Sequence, residues 1–192
     1  MPETATISSP QLKPKVSLEE FRNLPEGPPD YEFEEGEVIP LARPHGRHQL
    51  LLIRLGAALD GYVTQRKAGR IWPEIDVELT EQRSYVPDLV YLAQEHLDRM
   101  GNDGKIHGAP DLVVEIGSPG TVSRDRVTKF NTYLEAGVSW YWIIDPEELT
   151  IEEYNRHEDG YYWRTKSIDA DDIFRPDLFP GLELNLQKMM EG

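Results

Sequence analysis

The chain has 192 residues, with 35 acidic against 20 basic side chains and a formal net charge of −15. That length suits a single domain burying well over half of its unfolded surface, and the lack of cysteine excludes disulfides, thiolate zinc sites and cysteine nucleophiles. No run approaches the ~20 apolar residues of a membrane span, and Met1 to Pro14 lacks the apolar stretch of a signal peptide, so the expectation is a cytoplasmic protein with no membrane partner.

Residues 1–16 mix Pro, Ser, Thr and Lys without periodicity and read as a disordered lead, leaving 17–192 as one domain. Ser17, with Glu20 three residues on, has the pattern of a capping box that opens a short helix, ended by Pro25, Pro28 and Pro29. Tyr31 to Ile39 reads as a hairpin turning at Glu35-Gly36. Leu51, Leu52, Leu55, Ala58, Leu59, Tyr62 and Val63 recur at helical spacing, which predicts a long helix from about His48 to Lys67.

Ile75, Val77 and Leu79 alternate with Glu74, Asp76 and Glu78, as in a half-buried strand whose acids form a solvated face. Residues 85–92 and 111–117 carry continuous apolar runs typical of strands covered on both faces. The glycines between Gly101 and Gly108 mark a flexible loop. A helix is predicted over Ser123 to Ala136, closed by Gly137, then a buried strand at 140–144 and a hairpin around Asp159-Gly160. Phe179-Pro180-Gly181-Leu182 leads into a short closing segment. The order predicts an α/β chain of the α+β type, with a central mixed sheet flanked by helices and a β-hairpin toward each end.

Two carboxylates interrupt the apolar runs: Asp88 in Val86-Pro87-Asp88-Leu89-Val90 and Glu115 in Leu112-Val113-Val114-Glu115-Ile116. Burying a carboxylate is unfavourable unless it binds a cation or is well hydrogen-bonded. Two of them, on strands that could be neighbours, suggest one divalent metal held between them, with Lys129 following on what reads as a helix.

These residues belong to a longer pattern. Tyr31-Glu32, Gly36-Glu37, His48, Pro87-Asp88, Ala109 to Glu115, Ser118-Pro119, Asp125, Lys129, Tyr133, Gly137-Val138, Tyr141-Trp142 and Pro180-Gly181-Leu182 occur in this order. From Glu19 to Leu186 the chain thereby resembles the Uma-type restriction endonuclease family, within the PD-(D/E)XK nuclease superfamily. The superfamily motif places a lysine two residues after the second acid, where this chain has Gly117. The resemblance implies that the lysine has moved to the next helix, as Lys129.

What the resemblance implies is a restriction-endonuclease-like core and a metal-dependent endonuclease hydrolysing DNA phosphodiester bonds. Asp88 and Glu115 would bind magnesium or manganese through oxygen. Lys129 would orient or deprotonate the attacking water, or stabilise charge on the phosphate. His48 and Glu37 would be accessory residues lining the same pocket. Nucleases of the superfamily often act as dimers to reach both strands, so a homodimer is also implied.

Each residue has a plainer reading beside this one. Asp88 could cap a backbone amide after Pro87, and Lys129 could pair with Asp125 four residues earlier on the helix. His48 could be a helix-start residue, and Glu37 a turn residue. Asp111 is expected to hydrogen-bond locally, and Trp140-Tyr141-Trp142 to belong to the core. Lys105 is the next candidate for the cation. No Gly-x-Ser-x-Gly, phosphate-cradling glycine loop or His-Glu-x-x-His competes. The alternative of a different class is a catalytically silent nuclease-like domain that binds DNA or regulates.

Overall fold

The computed structural model describes residues 15–25, 30–41, 43–117 and 123–191, with the side chains of 123–126 outside that description. Most of the N-terminal lead, Pro28, Pro29, Ser118-Pro119 and any pairing of Asp125 with Lys129 therefore lie outside the described residues.

Helix α1 (Leu18–Arg22) opens with the predicted capping box, in which the Ser17 side chain accepts from the Glu20 N–H and Glu20 reaches back. The hairpin follows as β1 (Tyr31–Glu34) and β2 (Glu37–Pro40). Glu35 and Gly36 have φ of 49° and 90°, the left-handed pair that a two-residue turn needs to match strand twist. Helix α2 (Gly46–Arg66) is 21 residues long and buries Leu51, Leu52, Leu55, Leu59 and Val63 along one stripe.

The chain then builds β3 (Gly69–Pro73), β4 (Val77–Thr80), β5 (Arg83–Tyr85), β6 (Leu89–Ala93), a 3-10 turn over Gln94–Arg99, β7 (Ile106–His107) and β8 (Leu112–Ile116). It closes with α3 (Ser123–Ala136), β9 (Trp140–Asp145), the hairpin of β10 (Thr150–Arg156) and β11 (Tyr162–Ile168), and α4 (Leu186–Glu191). No helix among the described residues is long and apolar enough to cross a membrane.

Two mixed sheets result: five strands in the order β2-β1-β5-β4-β7, and six in the order β11-β10-β9-β8-β6-β3. The expected single central sheet is thus divided. The run 85–92 is two strands, because the chain leaves the small sheet after Tyr85 and enters the large one at Leu89. Pro87, which has no N–H for a ladder, sits in the crossing, and Asp88 occupies its last position. Strand β3, which the sequence reading did not assign, pairs with β6 at the edge of the large sheet.

The large sheet is apolar on both faces, as its period-2 pattern requires. Leu89, Tyr91, Leu112, Val114, Trp142 and Ile144 pack against α2 and the C-terminal segment. Val90, Leu92, Val113, Tyr141 and Ile143 face the other way, toward Tyr133 of α3 and Val77 and Tyr85 of the small sheet. The fully buried Trp142 confirms the core reading of that aromatic run.

The solvated face assigned to β4 needs correction at Glu78. This residue is 6% exposed, because β4 lies between β5 and β7 rather than at an edge. Its charge is offset by Arg22, whose Nε donates to Oε1 at 2.8 Å, and His107 Nδ1 lies 3.3 Å from the same carboxylate. The arginine beside it holds the Glu78 carboxyl below its ordinary range.

Candidate active site

Asp88 and Glu115 come together through strand register. Leu89 of β6 pairs with Val114 of β8, so the next position outward sets Asp88 beside Glu115. Asp88 is fixed at both oxygens: Oδ2 accepts from the Ile116 N–H at 2.6 Å, and Oδ1 lies 2.8 Å from His48 Nε2. Its plainer reading as an amide cap is therefore also true, and the amide belongs to the strand that carries Glu115.

His48 reaches Asp88 from the first turn of α2. Burial opposes its positive charge, but the hydrogen bond and the charge of Asp88 more than offset this and raise its pKa. The other ring nitrogen, Nδ1, is buried with no hydrogen-bond partner among the described residues. His48 thus touches the first carboxylate and positions it.

Alternation along β8 sends Val114 and Ile116 toward α2 and Glu115 toward α3. Lys129 and Tyr133, four residues apart on one face of α3, both meet it there. Lys129 Nζ lies 3.1 Å from Oε1 and 3.3 Å from Oε2, and the Tyr133 hydroxyl donates to Oε1 at 2.6 Å. Oε2 is the less engaged oxygen.

A third acid, unassigned by the sequence reading, completes the cluster. Glu32 of β1 is 5% exposed, and its Oε1 lies 2.8 Å from Lys129 Nζ while accepting from the Val86 N–H at 3.3 Å. The Lys129 ammonium is therefore held between Glu32 and Glu115, over the ring of Tyr85 at 5.5 Å. The available signal was Tyr31-Glu32 within the family pattern, and Tyr133 stood in that pattern too.

The pocket role expected for Glu37 is corrected. It stands exposed at the start of β2, opposite Glu34 across the turn, and its side chain has no hydrogen bond or ion pair with a described residue. The hairpin register instead points Glu32 inward. Lys105 lines the same cavity, with its Nζ 3.5 Å from Asp76. Asp111 hydrogen-bonds locally as expected, accepting from the Ala93 N–H at 2.7 Å and meeting His96 Nδ1 at 2.8 Å.

These groups line a cavity of about 960 Å³, into which His48, Glu74, Asp76, Asp88, Glu115 and Lys129 face. The electrostatics are those of crowded acids. Burial raises the Glu115 carboxyl, the Lys129 ammonium lowers it, and Asp88 and Glu32 raise it again, leaving it at about 7. Burial works against the Lys129 charge, yet Glu115 and Glu32 hold its pKa above the ordinary lysine range. The lysine is a fixed cation at neutral pH.

The donor set fits a small divalent cation. Among the described residues no three His, Asp or Glu side chains form a ligand cluster. Asp88 and Glu115, brought side by side by the strand register, offer hard oxygen donors in a cleft of excess negative charge. That is the manner of magnesium, held by one or two carboxylates with its remaining positions left to water and phosphate oxygens.

Known proteins share the sequence pattern and the fold of this chain. The family model Uma2, described as "Putative restriction endonuclease", matches residues 18–187. An uncharacterized Synechocystis protein is 22% identical over 161 residues, covering 83% of each chain. A second is 25% identical over 137 residues, covering 70% of this chain and 77% of the relative. A crystal structure described as a putative nuclease belonging to DUF820, from Anabaena variabilis, superposes with a TM-score of 0.75 at 25% identity, covering 92% of this chain and 98% of that one. With 18–187 matched and a nuclease-like fold of two mixed sheets flanked by helices, the chain belongs to the Uma2 restriction endonuclease family.

Proposed function

We propose that this chain is a metal-dependent endonuclease that hydrolyses DNA phosphodiester bonds, with residues 17–192 as its single nuclease domain. The observation that carries the reading is the convergence of Asp88, Glu115 and Lys129 in one cavity. Asp88 and Glu115 would hold magnesium or manganese. When bound, that ion polarises the phosphate and lowers the pKa of water.

The chain's own residues do the rest. His48 and the Ile116 amide keep Asp88 in one orientation. Tyr133 fixes one oxygen of Glu115 and leaves the other toward the cavity. Lys129 stays protonated, which suits it to donate to a phosphate oxygen as negative charge builds there and to orient the attacking water. Glu32 prevents the ammonium from collapsing wholly onto Glu115. The site would work in the cytoplasm, and a homodimer would bring two such sites to the two strands of a duplex.

One observation favours the silent-domain reading: Lys129 already has two carboxylate partners, as in a purely structural ion-pair network. A plasmid-nicking assay with and without magnesium or manganese separates the two. Metal-dependent nicking lost in Glu115→Gln supports the nuclease, and its absence at every metal concentration supports the silent domain.

A further inference from the structure

Behind the Glu115–Lys129 pair lies a second concavity of about 290 Å³, and the two cavities share Leu41, Glu115, Ile116 and Lys129 as walls. The catalytic pair is therefore a partition with space on each side. A phosphodiester seated on it would have one space on each side to receive a flanking nucleoside.

The spaces differ. The second is at the small end of the ~300–1,000 Å³ range of ligand pockets. Its apolar walls are Ile39, Pro40 and Leu41 after the β1–β2 turn, with Tyr141 and Ile143 of β9. Its polar members are Thr128, Tyr85 and Lys129 with three acids, Glu32, Glu34 and Glu115, of which Glu34 lies 3.4 Å from Arg83. Acidic walls repel a phosphate and accept hydrogen bonds from the amino groups of bases. Apolar walls suit a flat ring. A base still paired to its complement is too large to enter, as in enzymes that take a base out of the stack.

We infer that this second concavity is a slot for one unpaired nucleobase, so that the strand cut at Glu115 is unpaired beside the scissile phosphate. The inference deepens the nuclease reading and rests on it. It also fits the net charge of −15, which disfavours the broad phosphate contacts of duplex binding.

The test measures binding and cleavage separately. Fluorescence anisotropy with wild-type protein in calcium compares a short labelled single strand with the same strand in a blunt duplex. The single strand should bind at least about tenfold more tightly. Ile39→Trp, which fills the slot from β2, should abolish that preference without changing manganese uptake. If Ile39→Trp lowers the melting temperature, Thr128→Phe enters the same slot from α3 and replaces it. Equal or tighter duplex binding by the wild type overturns the slot. So does an undiminished single-strand preference in a variant that melts like the wild type. Cleavage in manganese then tests the underlying reading. No cleavage with a retained, slot-dependent preference keeps the slot and removes the nuclease. Equal cutting of duplex and single strand removes the slot and keeps the nuclease.

Discussion

Glu32 Oε1 lies 2.8 Å from Lys129 Nζ, and this contact ties the N-terminal hairpin to helix α3 across the candidate active site. Both side chains are largely buried, with exposures of 6% and 17%. Removing one partner of such a pair leaves the other desolvated and less compensated. Glu32→Ala should lower stability by about 3 kcal/mol in urea unfolding. Glu32→Gln, which can still accept from Lys129 and the Val86 amide, should recover most of that. A loss below about 0.5 kcal/mol for Glu32→Ala would place the pair among surface salt bridges of little energetic weight.

Glu115 gives the stability a pH dependence of unusual sign. Its folded-state pKa is raised from an ordinary 4.5 to about 7, chiefly by burial. Between those values the folded protein holds a proton that the unfolded chain has lost, so stability falls as pH rises. In a chelator, this contribution should be complete below about pH 4.5, be lost progressively, and level off above about pH 7. Glu115→Gln should flatten that segment of the stability–pH curve. A wild-type curve rising through the same window would mean that Glu115 is ionised throughout.

Metal should act on the same charges from the opposite side. An ion that binds only the folded state stabilises it by mass action, about 2.7 kcal/mol at one hundred times its Kd. Millimolar magnesium or manganese should raise the melting temperature of the wild type and do much less for Asp88→Ala. The effect should strengthen with pH toward 7, because Glu115 must release its proton before it can bind a cation. Equal stabilisation of both proteins would point to diffuse screening of the −15 charge.

The two acids proposed to hold the metal, Asp88 and Glu115, could be singled out in the sequence because each interrupts an apolar run, where an idle carboxylate is unfavourable. Lys129 needed the family pattern, since a helix-surface lysine is ordinary. Glu32 was hidden for a physical reason. Tyr31-Glu32-Phe33-Glu34 alternates, and alternation does not say which face of a hairpin is covered. Here Glu32 and Phe33 are both buried, because the strand is packed on each side. Glu37 failed for the same reason in reverse.

The fold shows the same division. The capping box, the long helix and the glycine-containing turns rest on local interactions and occur where expected. The assignment of strands to two sheets depends on where the chain crosses between them. The run around Pro87 and Asp88 is apolar on both sides of that crossing, and Pro87, which cannot donate to a ladder, is the mark that it carries. Glu78 likewise reads as solvated because its partner Arg22, which offsets its charge, is distant in sequence.

Lys129 decides between chemistry and structure. If its ammonium works on the phosphate or the attacking water, Lys129→Ala should abolish nicking while still binding manganese by calorimetry. Lys129→Arg should also be poor. A planar guanidinium keeps the charge but cannot fit the compact seat between Glu32 and Glu115. Stability should drop in Lys129→Ala as well, because two buried carboxylates lose their shared cation. Double substitution with Glu32→Gln should restore part of that stability and none of the activity. A purely structural lysine predicts the opposite pairing, with cleavage recovering in step with stability. Near-normal cleavage in Lys129→Ala alone would move the cation's role to another residue, and Lys105 on the rim of the same cavity is the next candidate.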